Sequence, residues 1–476
     1  MENIQLPPIN YAALAPMLIL FGAACLGVLI EAFVPRGGRH WTQLGLSLGA
    51  LAGALAAIVA VGDARLVTAG GAIAVDGPTL FLQGTIVVLG LVAMLMIGER
   101  SVQNGGAFVA EAAMTVGSVG DQRQAVRTPG TTEVYPLSLF ALGGMLLFVA
   151  ANDLLTMFVA LEVFSLPLYL LCALARRRRL LSQEAALKYF LLGSYASAFF
   201  LFGVALIYGF AGAVDFGAVH AAVGTSARSE ILLYAGLALL AIGLLFKTAA
   251  VPFHVWTPDV YQGAPTPVTA LMAACTKVAA FGALLRVLYV AFEGTAWDFK
   301  PVLGTIAVLT MLIGAVLAVT QTDIKRLLAY SSIANAGYLL VGVLALSRDG
   351  LSSTMFYLVA YGFTVLAAFG VVTLVRDADG EATHLSRWAG LGRRSPLFAA
   401  VFTFVLLAFA GIPVTSGFMG KFAVFGAALA DGQTWLVIAG VVSSMILAFP
   451  YLRVVVMMWL SEPGESTPTV TVPGGL

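Results

Sequence analysis

Five ionisable residues stand inside long apolar stretches: Glu162 in FVALEVFSLPLYLL, Lys188 in EAALKYFLLGSY, Lys247 in LLYAGLALLAIGLLFKTAAVPFH, Lys277 in TPVTALMAACTKVAAFGALL and Lys421 in AGIPVTSGFMGKF. Charge at membrane depth is costly, so such residues mark ion or proton pathways. Lys247 is followed five residues later by Pro252, which removes a backbone donor and breaks a helix there. The run before Lys421 is interrupted by Gly411, Pro413, Gly417 and Gly420. Broken helices at membrane depth persist only beside protein or a water-filled cavity, and two of them carrying lysines are the pattern of a transporter site.

Each residue also has a plainer reading. Ser182, Glu184 and Lys188 could form a helix cap with an i,i+4 ion pair, and Lys247 and Lys421 could sit in ion pairs that hold helices together. Lys277 has no acidic residue within two turns of its own helix, so its partner must come from another helix or from water. Glu162 has no local partner and must meet a lysine or take up a proton. His254, just after the Pro252 break, either relays protons near neutral pH or bonds the freed carbonyls. Asp259 reads as a cap, and Tyr330, Ser331, Ser332, Asn335 and Tyr338 read as helix-to-helix adhesion. Glu31 reads as interfacial and outside this set.

The elements that must position these residues are membrane helices. Of 476 residues 60% are hydrophobic and only 10% charged, with mean hydropathy +0.97, whereas soluble domains carry about 25% charged residues. With about 20 apolar residues per crossing, spans fall near 11–34, 41–61, 78–98, 135–150, 152–174, 185–211, 230–257, 262–292, 302–321, 324–346, 351–376, 396–430 and 433–460. The fold class is therefore an all-α polytopic membrane protein of thirteen spans. The polar insert 99–133 reads as an exposed loop, and 461–476 as a linker-like tail. A net charge of +1 with scattered basic residues excludes a nucleic-acid partner, leaving lipid and other membrane helices. Cys25, Cys172 and Cys275 lie singly, which encodes neither a disulfide framework nor a metal or cluster site. No basic segment precedes the first apolar run, so a cleaved signal peptide is not expected.

Fifteen Lys and Arg residues flank the loops after odd-numbered spans and four the loops after even-numbered spans. The positive-inside rule then puts the odd loops in the cytoplasm and the N-terminus outside. Arg286 and Arg453, near span ends, are expected to snorkel.

The ordered strings LEVFSLPLYLL, EAALKYFLLGSYASAFFLFG, FKTAAVPFHVWTPDVYQGAPTPVTALMAACTKVAAFGALLR, DIKRLLAYSSIANAGYLL and GIPVTSGFMGKF resemble the antiporter-like subunit family of respiratory complex I over roughly residues 135–460. Within it the chain is most similar to the N branch, because Lys421 stands where the M branch has glutamate. The resemblance implies two inverted five-helix repeats, 135–292 and 302–460, each with a discontinuous helix, after an N-terminal part over 1–134. It also implies a proton relay in which Glu162 pairs with Lys247, Lys188 lies between them, His254 and Lys277 continue the path and Lys421 faces the exit. Burial disfavours an ammonium and a nearby carboxylate favours it, so moving Glu162 toward or away from Lys247 would load or unload a proton.

No Gly-rich nucleotide loop, haem-ligand pair or cluster-binding cysteines are encoded. The resemblance thus implies no cofactor or metal in this chain, with FMN, iron–sulfur clusters and quinone in partner subunits of a translocating NADH-quinone oxidoreductase. The implied partners are a neighbouring antiporter-like subunit and small membrane-arm subunits, in a bacterial plasma membrane. Members of the N branch usually have fourteen spans, and this sequence stops at SEPGESTPTVTVPGGL, so a last helix beyond it is expected. The alternative is a subunit of a multi-subunit Na+(K+)/H+ antiporter, which shares the scaffold without redox partners. A purely structural helix lock is the remaining possibility.

Overall fold

A computed structural model describes residues 9–103, 106–109, 118, 131–225, 228–377, 380–463 and 468–471. Thirteen membrane spans organise them: α1 (Tyr11–Phe33), α2 (Arg36–Ala60), α3 (Gly77–Gly98), α4 (Val134–Ala150), α5 (Leu154–Cys172), α6 (Arg179–Ala211), α7 in two halves, α8 (Thr266–Ala291), α9 (Ala296–Val319), α10 (Ile324–Leu344), α11 (Arg348–Leu374), α12 in two halves and α13 (Thr434–Leu460). The halves are α7a (Glu230–Thr248) and α7b (Trp256–Gly263), and α12a (Pro396–Ala410) and α12b (Ser416–Ala430). Eleven of these helices are singly long and apolar enough to cross a bilayer; α4 and the two halves of α12 are shorter apolar helices. Helices satisfy their own backbone groups, which is why an apolar chain in lipid resolves into them. Several starts are fixed by side chains: Asp76, Asp153 and Asp323 accept from Thr79 N–H, Thr156 N–H and Lys325 N–H at 2.9, 2.7 and 2.9 Å.

The five-helix sets α4–α8 and α9–α13 pack alike. In each, the first helix packs on the second and the third packs on the broken fourth. The most apolar stretches of α8 and α10 are 100% and 94% buried. These two helices, one from each repeat, form the axis of the molecule, and the others cover them. Gly314 and Gly337 allow α9 and α10 close approach, since a Cβ at either would lie within 3.0 Å of the neighbouring backbone.

Small strands close the ends. Leu66–Thr68 pairs with Ile73–Val75, and Val375–Asp377 pairs with both Gly380–Glu381 and Thr469–Val470. The C-terminal tail, expected as a linker, thus returns to the loop between α11 and α12. Of the insert 99–133, residues 104–105, 110–117 and 119–130 lie outside the described residues. Its Val109 N–H donates to Leu174 O at 2.9 Å, fastening it to the α5–α6 connection.

Candidate functional site: buried lysines along both repeats

Lys247 lies at the end of α7a, just ahead of the break, and is 3% exposed. The helix stops because Ala249 turns left-handed at φ 63° and Ala250 N–H returns to Leu245 O at 2.9 Å. Val251 N–H donates to Thr310 Oγ1 of α9 at 3.0 Å, and the Trp256 indole donates to Phe246 O at 3.1 Å. Lys247 Nζ donates to Ser165 Oγ at 2.8 Å and sits 5.2–5.8 Å from the rings of Phe164, Tyr169, Tyr189 and Phe246. Ser165 in turn donates to Leu161 O.

The direct Glu162–Lys247 pair expected from the sequence is not closed. Glu162 forms no ion pair among the described residues, and its Oε1 is buried without a hydrogen-bond partner. Ser165, almost one turn further along α5, takes the ammonium instead. Lys188 bonds neither Glu162 nor Lys247. Its Nζ bonds Glu184 Oε1 at 2.7 Å and Asp259 Oδ2 at 2.6 Å, with 41% of the side chain exposed. The plainer i,i+4 pair is present, joined by a carboxylate from α7b. Asp259 is accordingly not a cap: it bridges Lys188 to Arg326, whose Nη1 reaches Oδ1 at 2.6 Å.

His254 stands in the break, its Nδ1 buried without a hydrogen-bond partner among the described residues. The carbonyl freed at Phe246 is taken by Trp256 rather than by this ring. Lys277 directly follows a π-helical turn, Met272–Thr276, that re-aims α8. Its Nζ donates to Ser332 O at 2.6 Å and Ser332 Oγ at 2.7 Å on α10, with the Tyr361 ring 5.2 Å away. The partner from another helix is therefore neutral.

Lys421 differs from Lys247 in standing after its break, on α12b. Gly411 ends α12a at φ 80°, and Gly417 lies where a Cβ would strike Ala408 O. Lys421 Nζ donates to Phe409 O and Ala410 O, the last carbonyls of α12a, at 3.0 and 3.1 Å, and to Ser444 Oγ at 3.3 Å. The Tyr338 ring lies 4.6 Å away.

Between these ammonium groups run buried polar side chains. Tyr357 donates to Asn335 Oδ1 at 2.5 Å, Asn335 donates to Ser331 O at 2.8 Å, and Ser331 bonds Tyr451. Tyr338 bonds Ser443 at 3.1 Å. The adhesion reading of α10 holds, since these bonds fix it to α11 and α13. The hydroxyls of Tyr169, Tyr189, Thr276 and Tyr361 are buried without hydrogen-bond partners among the described residues. Three of them belong to rings that flank Lys247 or Lys277, which makes those lysine environments places for ordered water.

Sequence reasoning missed other residues. Lys325, counted with a loop, is 2% exposed in α10 and donates to Ala264 O at 2.8 Å and Thr266 Oγ1 at 3.1 Å. Arg286 does not snorkel: its Nη2 bonds both Asp76 oxygens at 2.9 and 2.8 Å and Thr79 Oγ1 at 2.5 Å, and its Nε donates to Val149 O at 3.2 Å. Arg453 donates to Val319 O and Gln321 O at 3.0 and 2.6 Å, closing the end of α9. Glu31 pairs locally with Arg39 and Gln43, outside the lysine set.

Comparison with known proteins agrees with this arrangement. The family described as NADH:quinone oxidoreductase/Mrp antiporter, TM, matches residues 151–447. NADH-quinone oxidoreductase subunit N of Salinispora arenicola is 72% identical over 100% of this chain and 93% of its own length, and that of Saccharopolyspora erythraea is 61% identical over the same shares. A chain of respiratory complex I from Thermus thermophilus is 32% identical at TM-score 0.76, covering 97% of this chain and 92% of its own. A chain of the Mrp complex from a Dietzia species is 25% identical at TM-score 0.80, covering 98% and 83%. With two broken helices and full-length identity of this order, the chain belongs to the subunit N family of bacterial NADH-quinone oxidoreductase, within the wider NADH:quinone oxidoreductase/Mrp antiporter transmembrane family.

Proposed function

We propose that this chain translocates protons as a membrane-arm subunit of a bacterial NADH-quinone oxidoreductase, through Glu162, Lys188, Lys247, His254, Lys277 and Lys421. The observation that carries this is that Lys247, Lys277 and Lys421, each at most 5% exposed, are held, among the described residues, only by neutral oxygens and aromatic faces. A lysine locked in an ion pair keeps its proton. One held by a hydroxyl or a carbonyl can give it up without leaving a carboxylate stranded.

Glu162, without an ion pair among the described residues and less than one turn from Ser165, approaches Lys247 in this reading and favours its charged form. Withdrawal of that carboxylate releases the proton toward His254 and the partnerless hydroxyls, and thence to Lys277 on the central axis. Ser332, Asn335, Tyr357 and Tyr338 line the onward course to Lys421, whose carbonyl cradle holds the ammonium at the second break. Lys188, in a four-residue charge cluster with Glu184, Asp259 and Arg326, couples α6 to α7b and so sets the geometry of the first break.

Each proton moved outward works against about 2.3 kcal/mol per 100 mV. The drive is quinone reduction in partner subunits carrying FMN and iron–sulfur clusters, delivered through a neighbouring antiporter-like subunit and small membrane subunits. The location is the bacterial plasma membrane, with lipid around the outer helices, the odd loops cytoplasmic and the N-terminus outside. Likeness to the Mrp complex keeps Na+(K+)/H+ exchange as a second reading, which the 72% identity to a subunit N outweighs.

The test is to tag the chain, extract it in mild detergent and assay for flavin and NADH-quinone reductase activity. Co-purification of both supports the proposal. Recovery of antiporter subunits alone, with sodium or potassium transport, refutes it.

A further inference from the structure

A second cluster of charge lies apart from the lysine series, at the end of the molecule that carries the odd-numbered loops. There a cavity of about 50 Å³ is lined by Arg176, Arg177, Arg178, Lys325 and Arg376, with Glu381 and Thr266 also in its wall. Lys325 and Arg376 form the floor at 2% and 9% exposure, and Arg177 and Arg178 form an exposed rim.

Five cations and one carboxylate line it, and of the five Arg177, Arg178, Lys325 and Arg376 form no ion pair among the described residues. Lys325 donates to Ala264 O and Thr266 Oγ1, and Arg376 to Gln103 Oε1 at 3.1 Å and Thr373 O at 3.4 Å. Arg178 donates to Thr383 Oγ1 at 2.8 Å and Glu381 O at 3.4 Å. Arg177 has no hydrogen bond among the described residues. The single acid is itself engaged, Glu381 Oε2 accepting from Thr266 Oγ1 at 2.6 Å. Thr266 opens α8, so the positive end of a 26-residue helix faces the same space.

Buried cations satisfied only by neutral acceptors leave an uncompensated positive potential, which an anion would neutralise. The cavity holds about four water-sized groups, the size of a phosphate with its four oxygens, and the arginine forks match such an anion in geometry. Basic pockets between membrane helices on the cytoplasmic side take up phospholipid headgroups in this way. We infer that this cavity binds a phosphate-bearing anion, carried either by an anionic phospholipid or by free phosphate. Arg177 and Arg178 form its rim and Lys325 and Arg376 its floor.

The experiment compares the complete complex with its Arg177→Gln/Arg178→Gln form, both washed extensively in neutral detergent. Bound phospholipid is measured by mass spectrometry, and inorganic phosphate binding by calorimetry. Loss of two rim cations should weaken binding about tenfold or more. Anionic phospholipid retained by the unsubstituted complex and lost from the double variant identifies the lipid source. Phosphate binding that falls tenfold without any lipid difference identifies free anion. If neither ligand binds, or both bind the variant equally, the inference is wrong. Should the double variant fail to assemble, Arg177→Gln alone serves, since Arg177 makes no hydrogen bond to the described fold. Release of the anion from the unsubstituted complex between 0.05 and 0.5 M salt gives a readout that needs no variant.

Discussion

Replacing Lys247 and Lys421 separately by methionine should divide two lysines that look alike in the sequence. Methionine roughly preserves the stem and removes the ammonium. At Lys247 the losses are one charge-assisted bond to Ser165 Oγ, about 1.5–3 kcal/mol, and contacts with four rings, about 2 kcal/mol when desolvated. Against these stands the relief of burying an ion, several kcal/mol. Ser165 keeps its bond to Leu161 O, so no polar group is orphaned. The net change should stay within about 1.5 kcal/mol.

At Lys421 the same relief operates, but Phe409 O and Ala410 O lose the ammonium, and no backbone N–H among the described residues replaces it. Each orphaned carbonyl costs about 1–3 kcal/mol, so with two of them Lys421→Met should be the less stable variant by about 2–6 kcal/mol. The assay is thermal inactivation of the purified complex, with subunit retention on native gels. Equal and severe instability of both variants would refute the reasoning, because Lys247 would then be a structural lock.

Ser332→Ala should slow proton translocation without stopping it, since Lys277 keeps Ser332 O at 2.6 Å and loses only Oγ; initial pumping rates in vesicles check this, and complete loss would assign the hydroxyl an obligatory role. Arg286→Met strands Asp76 and unties α3 and α4 from α8. Losing one partner of a buried pair costs about 3–5 kcal/mol, reduced because the Asp76 side chain is 36% exposed, and lower assembled yield with earlier melting is the expected result. Burial pushes the Asp76 carboxyl up, but Arg286 and the Thr79 bonds outweigh it and hold the carboxyl below its ordinary value. A depressed carboxylate contributes stability above its unfolded pKa, about 3.9, and loses it as pH falls through the lower folded value. The stability difference between the natural protein and an Asp76→Asn variant should therefore be flat from pH 8 to 5 and shrink only in stronger acid.

The thirteen spans and the two broken helices were legible because lipid leaves the backbone few options and proline and glycine mark the failures. That Lys247, Lys277 and Lys421 are buried was legible for the same reason, as charge within apolar runs. What they touch was not. Ser165 and Ser332 resemble any small residue that lets helices approach, and only the rotation of α5 and α10 decides that their hydroxyls face an ammonium. The Lys188–Asp259 bond was not legible because 71 residues separate the two, and the turn after α7a sets their meeting. Lys325 and Arg286 sit near span ends, where snorkelling is the ordinary outcome. Their burial follows from the central position of α8 and α10, which hydropathy alone does not distinguish from a lipid-facing helix.

The most direct measurement is the number of protons moved per NADH oxidised by proteoliposomes holding the assembled complex with Lys247→Met. A relay through Lys247 requires that translocation by this subunit cease, so the ratio falls or NADH oxidation falls with it while assembly persists. An assembled complex that oxidises NADH at the normal rate and pumps at the normal ratio would contradict it.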